Sequence, residues 1–108
     1  MDINEVTLSG TVKGIVYPEY KHEAKRYIYI LLSTCFEKDG CSCFDVYRVK
    51  FFTKDSREQI QKLSEYQKSQ SRVFVKGFIR TTRYKDSLGE EFYSNSIVAS
   101  KISTQIQQ

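Results

Sequence analysis

The stretch Arg72-Val73-Phe74-Val75-Lys76-Gly77-Phe78-Ile79-Arg80 interleaves cations, flat rings and small apolar groups at every second position. It lies in a segment, Tyr66 to Lys85, with six basic residues and no acidic one. On a β-strand successive side chains point to opposite faces. One face therefore collects Val73, Val75, Gly77 and Ile79 and reads as core. The other collects Arg72, Phe74, Lys76, Phe78 and Arg80. Cations beside π surfaces can hold phosphates while nucleobases stack on the rings. The pattern recurs upstream, where Val46, Arg48, Lys50 and Phe52 share one face and Tyr47, Val49 and Phe51 the other. Two independent strands with the same two-faced code carry more weight than either alone.

The candidate nucleic-acid-binding set is therefore Arg48, Lys50, Phe52, Phe74, Lys76, Phe78 and Arg80, followed by Arg83, Tyr84 and Lys85. Arg80 and Lys76 are read as contacts because burying an unpaired cation is costly. Phe74 and Phe78 suit a nucleic-acid face or a subunit interface equally, since an apolar ring fits both. Tyr27 and Tyr29 are open between stacking on bases and covering the core.

Other chemistries find little support. Asp39, Asp45, Glu90 and Glu91 sit in or beside expected hairpins, where polar residues belong, and their spacing does not suggest a metal-dependent nuclease. One histidine, His22, cannot anchor a nucleophile, base and orienter set. Cys35, Cys41 and Cys43 with a distant His22 fall short of a four-ligand metal site at workable spacing. No enzyme activity, metal or cofactor is expected.

The elements that must position these residues follow from periodicity and turn chemistry. Val6, Leu8, Gly10 and Val12 alternate with polar residues in a first strand, and Gly10 and Gly14 suggest a bulge or bend. Pro18 and the polar run 19–25 form a loop. A second strand runs from Arg26 to about Phe36, with Ile28, Ile30, Leu32 and Thr34 on one face. Lys38-Asp39-Gly40 signals a tight hairpin into a third strand from about Cys43 to Thr53. Asp55 with Glu58 reads as a capping box that opens a short helix to about Gln67, apolar at Ile60, Leu63 and Tyr66. The fourth strand follows, then a turn at Asp86-Ser87-Leu88-Gly89, then a fifth strand from Glu91 to about Ile102. A helix between the third and fourth of five antiparallel strands is the order of an OB-fold barrel. The expected class is all-β with one short helix.

A length of 108 residues predicts a single domain over 1–108, with a short polar tail from about residue 103. The aromatic set is eight Tyr and seven Phe with no Trp, so ring chemistry rests on those two types. A net charge of +4 and a pI near 9.0 tilt the partner list toward nucleic acid or an acidic surface. No apolar run is long enough to span a membrane. The opening Met1-Asp2-Ile3-Asn4-Glu5 lacks the regions of a signal peptide, so the cytoplasm is the expected compartment.

These residues resemble the bacterial single-stranded DNA-binding protein family over nearly the whole chain. The resemblance is carried by Asn4-Glu5-Val6-Thr7-Leu8-Ser9-Gly10-Thr11-Val12, Pro18-Glu19-Tyr20-Lys21 and Tyr47-Arg48-Val49-Lys50-Phe51-Phe52-Thr53-Lys54. Val75-Lys76-Gly77-Phe78-Ile79-Arg80-Thr81, Tyr84-Lys85-Asp86, Gly89 and Tyr93 complete it. It implies Arg48, Phe52 and Arg80 on the binding face and Tyr84 where the family has a stacking Trp. Val46 stands where a second family Trp is expected, and Phe36 near a third. There is no acidic residue after Glu91. The chain thus resembles tail-less members, of the phage and mobile-element or primosomal replication protein N type.

The resemblance implies sequence-tolerant binding of single-stranded DNA in replication or recombination, by a homodimer or homotetramer. Replication proteins would be met without an acidic C-terminal tail. RNA is also possible, because stacking does not distinguish the sugars. The alternative is a primosome-type adaptor or protein-interaction OB module, with nucleic-acid binding secondary.

Overall fold

In the computed structural model, residues 1–16, 27–52 and 56–104 are described. Five strands and one helix follow in the order β1 (Val6–Val16), β2 (Tyr27–Lys38), β3 (Cys41–Phe52), α1 (Ser56–Ser69), β4 (Arg72–Lys85) and β5 (Glu91–Ser103). The strands close into a barrel in the spatial order β1-β2-β3-β5-β4, the OB-fold. All neighbours are antiparallel except β3 and β5, which run parallel over Val49–Phe51.

Period-2 alternation fills the barrel. Ile30, Leu32, Val49, Val73 and Val75 are fully buried, each from the apolar face of its strand. Tyr47 and Phe51 pack partly buried against them. Ile79 departs from the expected core face and is 44% exposed. Its alternation is intact and it pairs with Ile97, which packs against the core, but the β1–β4 ladder ends at Gly77, so Ile79 lies beyond β1's last partner.

β1 carries a bulge between Val12 and Gly14. The bulge leaves the Lys13 carbonyl outside the ladder, and the Gln67 side-chain amide of α1 donates to it at 3.2 Å. The helix buries Leu63, with Ile60 and Tyr66 partly covered. It runs two residues beyond the expected Gln67 and stops in a Schellman motif. Gln70 takes a positive φ of 52°, Gln70 N donates to Gln67 O and Ser71 N to Tyr66 O. The expected N-cap, Asp55, lies outside the described residues, as do the 19–25 loop and His22.

Two hairpin arms extend the sheet. The β2–β3 arm turns on Asp39 (φ 53°) and Gly40 (φ 78°), the left-handed pair of a two-residue hairpin. It pairs fully out to Lys38↔Cys41, so β3 starts two residues before the expected Cys43. The β4–β5 arm closes on the Asp86 carboxylate, which accepts from Leu88 N and Glu90 N, both at 2.9 Å. Ser103, assigned to the tail from sequence, is the last residue of β5 and pairs with Phe74.

Candidate nucleic-acid interface

The parallel contact between β3 and β5 assembles the site. Lys50 pairs with Tyr29 of β2 on one side and Val98 of β5 on the other, and Val98 pairs with Phe78 of β4. Directly paired residues point to the same face. Tyr29, Lys50, Val98 and Phe78 therefore form one row across the outside of four strands. The backbones approach closely behind this row: a Cβ on Gly77 would lie 1.9 Å from the Val98 carbonyl oxygen. Only glycine fits there, and the β4–β5 register shifts at the same point, between Lys76 and Gly77.

Beside this row lies an open cleft of about 510 Å³, lined by Lys50, Phe52, Phe78, Arg80, Thr81, Thr82, Ser96, Val98 and Ala99. Four of the residues singled out from sequence, Lys50, Phe52, Phe78 and Arg80, thus meet around one space. Two cations and two rings stand around a space whose lining also includes buried Val98 and Ala99 and the hydroxyl residues Thr81, Thr82 and Ser96. A nucleobase finds apolar surface here, and a phosphate finds charge within reach.

The β2–β3 face adjoining the cleft is a mat of rings and cations. The Arg48 guanidinium sits 3.7 Å from the centroid of Tyr29. Lys50 Nζ is 4.2 Å from the Tyr27 centroid and 5.4 Å from that of Phe52. Tyr27 meets Tyr29 edge-on at 5.4 Å and Phe52 at 6.0 Å. Tyr27 and Tyr29, open between two roles in the sequence, thus lie outside the barrel as seats for cations. The same outer face continues along the arm through Val46 and Phe44, which is 65% exposed.

On the β4–β5 arm, Tyr84 shares the ribbon face of Phe78 and Arg80 and stacks on Phe92, centroids 5.6 Å apart and planes 22° from parallel. Arg80 is 5.5 Å from the Phe78 centroid, a looser seat than that of Arg48. Arg83 and Lys85 fall by alternation on the opposite ribbon face, beside Tyr93 and Glu91; Lys85 Nζ lies 3.9 Å from Glu91 Oε1. Phe74 and Lys76 sit further back on β4, between Ser9 and Thr7 of β1 and Ser103 and Lys101 of β5. They do not line the cleft. The ten sequence candidates therefore separate into a cleft group with its flanks, a reverse-face pair and a β1-side pair.

Phe92 and Val98 escaped the sequence reading. Counting outward from a turn of 86–89 would pair Tyr84 with Glu91; the turn spans 86–90, with Lys85 opposite Glu91, and that one-residue difference brings Phe92 to Tyr84. Val98 follows from the same hairpin register, which runs unbroken from Lys85↔Glu91 to Phe78↔Val98, whereas its adjacency to Lys50 needed the β3–β5 contact.

The cysteines lie on the β2–β3 arm with their thiols free. Cys35 pairs with Phe44 on the outer face, whereas Cys41 and Cys43 occupy the other face. Among the described residues no group of three His, Cys, Asp or Glu gathers to hold a metal ion. Among them, too, no helix is long and apolar enough to cross a membrane.

A closed OB barrel with a basic, aromatic cleft across β3, β5 and β4 and a ring-and-cation face on β2–β3 has the build of an oligonucleotide-binding barrel. The model of the single-strand binding protein family matches residues 3–105, and the chain belongs to that family. Its fold is similar to a small single-stranded DNA binding protein from Mycoplasma pneumoniae, with a TM-score of 0.66 at 17% identity over 94% of this chain and 93% of that one. It is also similar to a mitochondrial single-stranded DNA binding protein from S. cerevisiae, with a TM-score of 0.60 at 20% identity over 95% of each chain. A Plasmodium falciparum SSB solved in complex with ssDNA gives a TM-score of 0.61 at 17% identity, over 95% of this chain and 93% of that one. No curated protein matches the sequence.

Proposed function

We propose that this chain binds single-stranded DNA without reading its sequence, using the cleft between β3 and the β4–β5 arm. The observation that carries this reading is the Tyr29, Lys50, Val98 and Phe78 row, flanked by Phe52 and Arg80. Phe52, Phe78 and Tyr84 offer bases their ring faces, and Lys50 and Arg80 neutralise phosphates. Lys76, Arg83 and Lys85 add positive field from outside the cleft, and Phe74 covers the β1 side. The family and the fold shared with single-stranded DNA binding proteins support the same reading. The work is binding rather than catalysis, in replication or recombination in the cytoplasm, by a homo-oligomer whose protomer is one domain.

The test is anisotropy of labelled oligo-dT, with the matching duplex and an oligo-U in parallel, across a salt series. Tight, salt-sensitive binding to the single strand, with a log–log slope of about −0.7 per phosphate contacted, is the expected result. Equal, weak binding to single strand and duplex would overturn it. Preference for oligo-U would move the assignment to RNA.

A further inference from the structure

The β2–β3 face keeps its cations on its own rings rather than extended into solvent. At 3.7 Å from the Tyr29 centroid, Arg48 Cζ is at stacking contact with that ring. Tyr29 is half-buried and braced edge-on by Tyr27, which itself meets Phe52 edge-on. The outer face of Tyr29 is thereby occupied, and a base arriving over β2–β3 meets the guanidinium first. That group is planar, weakly hydrated and able to stack on a second π surface. Lys50, over Tyr27 at 4.2 Å, offers only a compact point charge and no plane.

We propose that Arg48, seated on Tyr29, is a base-stacking plane rather than a phosphate ligand, and that Tyr29 is the residue positioning it. The ligand is a nucleobase of a single strand. A guanidinium already seated on a ring before binding loses less freedom when the base arrives than a free side chain would. The inference rests on the nucleic-acid reading above and adds to it the contact made by Arg48.

Charge-conserving substitution separates the two roles. Oligo-dT anisotropy across a salt series would compare Arg48→Lys, Tyr29→Phe, Tyr29→Leu and the Arg48→Lys/Tyr29→Leu double variant, with Phe52→Ala as reference. Arg48→Lys keeps the charge, so its salt slope should match the parent, while affinity falls roughly tenfold at every salt concentration. Tyr29→Phe should bind as the parent does, Tyr29→Leu should lose about the same factor as Arg48→Lys, and the double variant should be no weaker than either single one.

Parental affinity for Arg48→Lys would make Arg48 a phosphate contact and overturn the proposal. So would losses that multiply in the double variant. Arg48 is exposed, so its variant decides the matter even if a change at half-buried Tyr29 weakens the fold. A parent that binds no single strand, or a Phe52→Ala variant that binds as the parent does, would instead point to failure of the underlying reading.

Discussion

The β2–β3 platform and the β4–β5 arm use the same residue types in opposite ways. On the platform, cations cover rings: Arg48 on Tyr29 and Lys50 on Tyr27. On the arm, ring covers ring: Tyr84 lies on Phe92, and among the described residues no cation is seated on either. The cause is register. Lys50 is paired with Tyr29 and flanked diagonally by Tyr27, within reach of its long stem. On the arm, Tyr84 is paired with Phe92, while its neighbours Arg83 and Lys85 point to the other face. A basic, aromatic strand can therefore present a charged plane or a bare ring, and composition is the same in both cases.

The largest effect should come from severing the two regions. Gly77→Val would drive a side chain into the Val98 carbonyl at the junction of arm and barrel. It should cost at least about 3 kcal/mol in denaturant unfolding, since backbone on both sides blocks relief. A stable Gly77→Val protein would show that the close β4–β5 approach is not needed to hold the cleft. Next in size, Tyr84→Ala should weaken oligo-dT binding by about 1–3 kcal/mol without lowering the melting temperature, because the ring is 52% exposed. Phe92→Ala should cost about 0.5–1.5 kcal/mol by removing the ring that steadies Tyr84. Equal binding by both variants and the parent would strip the arm of its role. The smallest and most diagnostic change is in slope. Arg80→Gln should flatten the salt dependence by about 0.7, one phosphate contact, as expected for a cation held only loosely over Phe78. An unchanged slope would make Arg80 resemble the platform cation and erase the contrast between the regions.

Much of this could be read along the chain, because strand faces, hairpin turns and the helix start are local. Period-2 alternation identified Val49, Val73 and Val75 as core and Arg48, Lys50 and Phe52 as outward. Asp39-Gly40 set the β2–β3 register through one turn. The same alternation misled at Ile79, where the pattern continues past the last β1 partner. The candidate set also grouped Arg83 and Lys85 with Tyr84, which alternation separates, since adjacent positions on a ribbon face opposite ways.

By itself, then, the sequence determined the element order, the two faces of each strand and the residue types available for stacking and charge. Tertiary structure alone decided which outward faces became one site. The parallel β3–β5 contact brings Lys50 to Val98 and so to Phe78, which lies beyond the helix in sequence and across β5 in the sheet. The β1–β4 pairing likewise placed Phe74 and Lys76 on the β1 side. Alternation is set by backbone geometry within a few residues, whereas closure of a barrel is a long-range event that no local pattern encodes.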